Sequence, residues 1–323
     1  MKVLVVRFSS IGDIVLTTPI LRGLKEQVKD VQIHYLTKKQ FAGILENNPR
    51  IDKLITMDKH IDEVVPQLRQ EKYDLIIDLH NNLRTKSLKL KLRRPFKSFD
   101  KLNWKKWLLV KFKINKMPKM HIVERYFETV STLGVKNDHL PCEYFISENE
   151  QVDVQTKLKV PSKEFIAIAI GAQFKTKRMP KDLLIRILAK IQEPVVLIGG
   201  EVDADLANEL IQALPSSSII SACGGYSLNQ SASIIEQCKR LITNDTGAMH
   251  IASCFDIQIS SVWGNTVPDL GMYPYYPKHE EKFSTHEVKG LSCRPCSKIG
   301  FQECPKKYFD CMMKQDVRSI VGK

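Results

Sequence analysis

Asp245, Thr246, Gly247 and His250 are the residues in this chain most readily put to chemistry. They stand in the run Leu241 to Ser253, where a short apolar stretch meets a polar turn and then small residues at helical spacing. That order is a strand, a turn and a helix start. The first N–H groups of such a helix have no partner within it, and its dipole is positive there, so an anion is a natural occupant. Gly247 has no Cβ to hold a phosphate away, Thr246 adds a hydroxyl donor, and His250 follows one turn later. The same residues also suit an ordinary helix start, with Asp245 or Thr246 as its cap and His250 packed inside.

A second candidate lies at the other end of the chain. Val3 to Val6 is a continuous apolar run of the kind found in a strand buried on both faces, and Arg7-Phe8-Ser9-Ser10-Ile11-Gly12-Asp13 follows it. Open α/β sheets bind ligands in the loop after such a strand. Asp13 is either the cap of the next helix or a carboxylate at the mouth of the sheet, suited to general base work. That helix runs through Leu16, Ile20, Leu21 and Leu24, and Pro19 within it predicts a kink or a later start. After the apolar run Leu75 to Ile77, Asp78 leads into His80, Asn81, Asn82 and Arg84, which either line the same site or serve as caps.

These loops need elements to position them. Apolar runs at Ile33 to Leu36, Leu54 to Met57 and Leu75 to Ile77 read as strands, with helical stretches near 39–47, 61–71 and 83–92 between them and an amphipathic helix over His121 to Leu133. Gln151 to Ser162 is polar, carries Pro161 and reads as a linker. The alternation then resumes with strands at Phe165 to Ile170, Val195 to Ile198, Ile219-Ile220, Leu241-Ile242 and Ile257 to Val262. Strand alternating with helix predicts an α/β fold with parallel sheets. Two halves, 1–155 and 156–323, with ligand-type loops facing each other predict a cleft between domains. Neither GxGxxG nor GxxxxGK[ST] is present, which argues against an ordinary dinucleotide fold or a P-loop.

Charge is concentrated in one place. Between Arg84 and Lys119 fourteen Lys or Arg face a single acid, Asp100, so this segment carries the whole formal excess of +13. Such a footprint suits an anionic partner. Interleaved Trp104, Trp107, Leu108, Leu109, Val110 and Phe112 favour a membrane surface or amphiphilic substrate over nucleic acid. The alternative is a solvated basic helix and loop. The N-terminus has only a four-residue apolar run before Arg7, too short for a signal-peptide core, and no stretch is long enough to span a bilayer. The expected location is the cytoplasm.

Cys293-x2-Cys296-x7-Cys304-x6-Cys311 gathers four thiols, whereas Cys142, Cys223, Cys238 and Cys254 are scattered in apolar surroundings and read as core. Disulfides are rare in a cytosolic chain, so the cluster suggests a structural zinc, with free thiols as the alternative because the second pair is wider than CxxC.

Five segments, in order, carry a resemblance to a known family: VLVVRFSSIGDIVLTTPILRGLK, DLHNNLR, GAQFKTKRMP, GGEVDADLANEL and TNDTGAMHIAS. Together they resemble glycosyltransferase family 9, the ADP-heptose:lipopolysaccharide heptosyltransferases. The resemblance implies the GT-B fold of two Rossmann-like domains, with acceptor bound by the first, nucleotide-sugar by the second, and a last helix returning to the first. It also implies sugar transfer with inversion and no metal required for catalysis. Asp13 matches the family's catalytic base. Gln173, Lys177, Glu201, Asp245, Thr246, Gly247 and His250 fall on the donor side, with Lys177 neutralising phosphate and Glu201 holding the ribose. Arg7, Ser10, Gly12, His80 and Arg84 fall on the acceptor side. Met179 stands where members often carry Trp, a departure that bears on donor-pocket shape.

The expectation is therefore an inverting glycosyltransferase at the inner face of the cytoplasmic membrane, using a nucleotide-sugar donor and a lipid-linked saccharide acceptor, with no nucleic-acid partner. A sugar-nucleotide epimerase of the same fold and a non-catalytic binder of anionic glycolipid are the alternatives.

Overall fold

Val3 to Val6 are fully buried, as a run with no polar face requires, and they form the middle of β1 (Lys2–Val6). In the computed structural model, which describes residues 1–322, β1 is flanked on one side by β2 (Gln32–Lys38) and β3 (Lys53–Met57). On its other side lie β4 (Leu75–Asp78) and β5 (Phe96–Ser98), giving the order β3-β2-β1-β4-β5. The strands of this sheet are parallel. The second sheet repeats the plan with β6 (Ile166–Ala169), β7 (Val195–Ile198), β8 (Ile219–Ser221), β9 (Arg240–Asn244), β10 (Gln258–Trp263) and β11 (Phe283–Glu287). Its order is β11-β10-β9-β6-β7-β8, again parallel. Each sheet is Rossmann-like, and the strand order reverses between β1 and β4 in the first and between β6 and β9 in the second. Such switch points are where open α/β sheets take ligands.

β5 and β11 were not among the expected strands. Both are edge strands with largely exposed or half-buried residues, so they lack the apolar run that marks the central strands. The helix expected through Leu16 to Leu24 is broken in two, Ile11–Val15 and Thr18–Gln27, and Pro19 sits in the first turn of the second piece, where its missing N–H costs nothing. The stretch at 39–47 is a 3₁₀ turn, Lys39–Ile44, and His121 to Leu133 yields only the helix Ile122–Phe127 and a 3₁₀ turn.

The chain divides into one unit of residues 1–101 and 120–145 and another of 102–119 and 146–323. The division departs from a single cut near 155 in two ways. The polar segment read as a linker holds a helix, Val154–Leu158, capped by Asp153, and Val154, Leu158 and Val160 are buried in the core of the second unit. Residues 102–119 also join that unit, through Leu109 packed with Val267 and Leu270. The last helix, Val317–Val321, belongs to the second unit, where Ile320 and Val321 are buried with Leu184, Ile187 and Val262.

Candidate active site

In the first unit the C-terminal ends of β1 and β4 bring together Arg7, Asp13 and His80. Arg7 is only 7% exposed and binds in several directions at once. Its Nη2 meets Asp13 Oδ1 at 2.6 Å, Nε donates to the Ser9 carbonyl at 2.8 Å, and Nη1 donates to the Leu79 carbonyl and, at 3.2 Å, to the Tyr126 hydroxyl. Burial disfavours the guanidinium charge, but the Asp13 carboxylate beside it more than offsets this, and its pKa is raised. Asp13 in turn accepts from the Ser10 N–H at 3.2 Å and the Ser10 hydroxyl at 2.8 Å. Asp13 is not the N-cap of this helix: Ser10 holds that position, and Asp13 sits three residues on, in the first turn of Ile11–Val15, its side chain 19% exposed and facing a buried cation.

His80 follows a turn built by Asp78, whose Oδ1 accepts from the N–H groups of His80 and Asn81 at 2.9 and 2.7 Å. Its ring lies 5.0 Å from that of Phe8, and Nδ1 is buried without a hydrogen-bond partner. Burial, together with the charges of Arg7 and Lys101, pushes its pKa down to about 3, so the imidazole is neutral at pH 7. Arg84 is exposed on the helix Leu83–Leu92, close enough for its charge to lower His80 further. Gly12 is buried in the turn that carries Asp13, and Ser10 is exposed.

In the second unit the ends of β6 and β9 do the corresponding work. Lys177 Nζ lies 2.7 Å from Asp245 Oδ2, and the Thr266 hydroxyl donates to that same oxygen at 2.8 Å. Thr246 and Gly247 open the helix Gly247–Ala252, which no side chain caps, so its first N–H groups are left to a ligand or to water. His250 is buried one turn into this helix. Gln173 is exposed on the β6 exit, and Glu201 is exposed at the start of the 3₁₀ turn after β7. Gly224, at φ +72°, passes so close to Glu201 that a Cβ would lie 2.9 Å from the Glu201 Cα.

Several residues that fasten this site were not singled out in the sequence. Arg178 donates to the Ala172 carbonyl at 2.7 Å and to Asp203 Oδ1 at 3.0 Å, tying the Lys177 turn to the β7 exit. Asp203 fills the space over Gly171, where a Cβ would meet its Oδ2 at 2.3 Å. On the other side Thr176 exchanges hydrogen bonds with the Phe301 main chain, donating from N at 3.1 Å and accepting at Oγ1 from the Phe301 N–H at 2.8 Å. The available signal was adjacency: Thr176 and Arg178 flank Lys177, and Asp203 follows Glu201 by two. Met179 is buried in the core with Leu183 and Ile187.

Cys293, Cys296, Cys304 and Cys311 lie within one another's electrostatic reach. Burial pushes Cys311 up to about 12 against the pull of Arg294, and the other three thiols add to the rise. Cys296 is raised by burial and then by Cys293 and Cys304. Among the described residues no group of three or more His, Cys, Asp or Glu is arranged to hold an ion. Cys142 and Cys238 are buried, as a core reading expects, whereas Cys223 and Cys254 are half-buried.

The family model described as glycosyltransferase family 9 (heptosyltransferase) matches residues 62–299. The chain belongs to this family. Among curated relatives of this family 9 chain, lipopolysaccharide heptosyltransferase 1 of Campylobacter coli is 26% identical over 292 residues, covering 82% of this chain and 84% of the relative. Lipooligosaccharide heptosyltransferase 2 of Haemophilus ducreyi is likewise 26% identical, over 83% of this chain and 84% of its own. The solved structure of the ADP-heptose lipopolysaccharide heptosyltransferase II of Escherichia coli aligns with a TM-score of 0.71 at 20% identity, over 97% of this chain and 98% of that one. That likeness identifies the fold of this family 9 glycosyltransferase as GT-B.

Proposed function

We propose that this family 9 enzyme transfers a heptose from ADP-heptose to a hydroxyl of the lipopolysaccharide core or a similar glycolipid, with inversion and without a required metal. The heptosyltransferase names of its relatives support the substrate class. The observation that carries the reading is Lys177 held by Asp245, itself bound by the Thr266 hydroxyl, two residues before the uncapped start of Gly247–Ala252. A diphosphate leaving group develops charge as the sugar departs, and a cation with fixed N–H donors stabilises that charge where it appears. Asp245 keeps the ammonium at the turn until phosphate takes its place as partner. Glu201 is suited to a vicinal ribose diol, which one carboxylate can bind through both hydroxyls.

Asp13 is the base in this reading. The acceptor hydroxyl gives its proton to the Asp13 carboxylate, its oxygen forms the new bond to the sugar, and the sugar–phosphate bond breaks to release ADP. Arg7 fixes the direction of the carboxylate, and neutral His80 offers an uncharged ring nitrogen to acceptor hydroxyls. Incubation with ADP-heptose and a heptose-free lipopolysaccharide core should release ADP only when both are present, and NMR should find the product anomer opposite to that of the donor. Asp13→Asn should lower turnover by about 10² to 10⁴ while donor binding persists. Conversion of the donor without acceptor would replace this reading with an epimerase, and near-normal turnover in the variant would remove Asp13 from the mechanism.

A further inference from the structure

Two of the three tryptophans, Trp104 and Trp107, lie on the helix Asn103–Phe112 and are 67% and 46% exposed, whereas Trp263 is 1% exposed. Their rings stack at 4.8 Å, and the ring of Phe112, itself 53% exposed, meets Trp107 edge-on at 5.0 Å. Ile114, 47% exposed, continues the patch. Leaving this much apolar surface in water is unfavourable, and contiguous exposed apolar patches mark interaction sites. The opposite side of the helix is where it is fastened: Leu109 is buried with Val267 and Leu270, and just beyond the helix the Lys113 ammonium donates to the Pro295 carbonyl at 2.6 Å and Asn115 donates to Asp269 at 2.8 Å. Trp104, Trp107 and Lys111 follow one another at three- and four-residue steps, so they share a face, and Leu109 faces away from it.

The charge around the patch is of one sign. Residues 102–119 contain Lys105, Lys106, Lys111, Lys113, Lys116 and Lys119 and no acid. Lys111, Lys116 and Lys119 are exposed. No helix among the described residues is long and apolar enough to cross a membrane, so this element would lie on a surface instead of spanning it. Indole rings combine an apolar body with a polar N–H and settle at headgroup depth, and cations around them are drawn to anionic headgroups. Rings stacked on one another also leave fewer faces free for nucleic-acid bases.

We propose that the exposed face of Asn103–Phe112, continued to Lys119, docks this protein on an anionic lipid bilayer, with Trp104, Trp107 and Phe112 entering the headgroup layer and the lysines contacting lipid phosphates. The inference is independent of the transfer reaction, because it rests on a surface that contains none of the proposed donor or acceptor residues.

Full-length protein is mixed with vesicles of phosphatidylcholine containing about a quarter phosphatidylglycerol, and separately with phosphatidylcholine alone, at low and at physiological salt. Wild type should sediment with the anionic vesicles, much less with the neutral ones, and less as salt rises. Trp104→Ala with Trp107→Ala should lower partitioning at least about tenfold, since apolar burial supplies the insertion. Replacing Lys111, Lys116 and Lys119 with Gln should cost about fivefold per lysine that reaches the surface. Circular dichroism melts of the variants control for folding. Should a variant unfold, wild type alone still decides: its tryptophan emission should shift to the blue on adding anionic vesicles and be quenched by brominated lipid. Equal binding to neutral and anionic vesicles, unchanged binding by both variants, or unquenched emission overturns the proposal. Binding to nucleic acid, or concentration-dependent dimerisation, that the same substitutions abolish without any vesicle binding overturns it as well.

Discussion

Replacing Arg7 with Met is the most direct test of how the first unit holds its carboxylate. Met keeps much of the length and apolar stem but removes every donor. Asp13 would lose the cation 2.6 Å away, and the carbonyls of Ser9 and Leu79 and the hydroxyl of Tyr126 would each lose a donor. Breaking one side of a buried ion pair costs about 3 to 5 kcal/mol. The Asp13 side chain is 19% exposed, so water can reach it and the low end applies, about 3 kcal/mol. With a urea dependence of about 1.5 kcal/mol per molar for a unit of this size, the midpoint should fall by about 2 M. The two units can be followed separately, because Trp104, Trp107 and Trp263 all lie in the second. Tryptophan fluorescence should then report an unchanged transition while far-ultraviolet circular dichroism shows an earlier one. Adding Asp13→Asn to Arg7→Met removes the stranded charge and should restore part of the loss. A midpoint shift below about 0.5 M, or a double variant no better than the single one, would refute the view that Arg7 exists to hold Asp13.

Three further outcomes follow. Lys177→Ala should weaken ADP binding more than adenosine binding, because only the diphosphate meets the ammonium; equal losses in calorimetry would place the lysine elsewhere. His80, held near 3 in the fold against an ordinary value near 6.5, stays neutral while the unfolded chain takes up a proton, so its contribution is present above pH 6.5 and is lost as pH falls toward 3. Stability measured down this range should therefore fall by at most about 1.4 kcal/mol per pH unit from this residue, and His80→Gln should flatten the slope; an unaltered slope would contradict the assignment. The zinc suggested by the cysteine spacing requires Cys293, Cys296, Cys304 and Cys311 to close around an ion. Elemental analysis should then find about one equivalent and a chelator should lower stability, whereas metal-free protein of unchanged stability would leave four ordinary thiols.

The parts of the fold legible in the sequence were those in which each residue faces the same environment. Val3 to Val6, Leu75 to Ile77 and Val195 to Ile198 are buried on both sides, so their uniform apolarity marks them whatever surrounds them. β5 and β11 escaped notice because their residues are largely exposed or half-buried and so form no apolar run, unlike the other edge strands, β3 and β8. The helix Val154–Leu158 was hidden for a related reason: Val154, Leu158 and Val160 are apolar points in a polar stretch, and they become core only where the second sheet meets them. At the site, Asp13 and Asp245 could be named because each stands at a strand exit, and Lys177 through the family resemblance. Lys177 and Asp245 follow β6 and β9, which only the sheet order makes neighbours, whereas Arg7 and Asp13 stand on one connection after β1, where the turn decides the pairing. Met179 shows the converse, since its place in the motif suggested a pocket wall and its side chain is in the core.

The placement of residues 102–119 in the second unit has a practical consequence for anyone dissecting this gene. The backbone passes from one unit to the other after residues 101, 119 and 145, so no single cut yields both domains whole. A fragment begun at Ile146 would lack Leu109 over Val267 and Leu270 and the lysine that binds the Pro295 carbonyl, exposing a greasy seam. Supplying residues 102–119 as a separate peptide, or grafting them through a linker ahead of Ile146, restores the missing piece. Expression trials that ignore this would mistake an excised seam for an unstable domain.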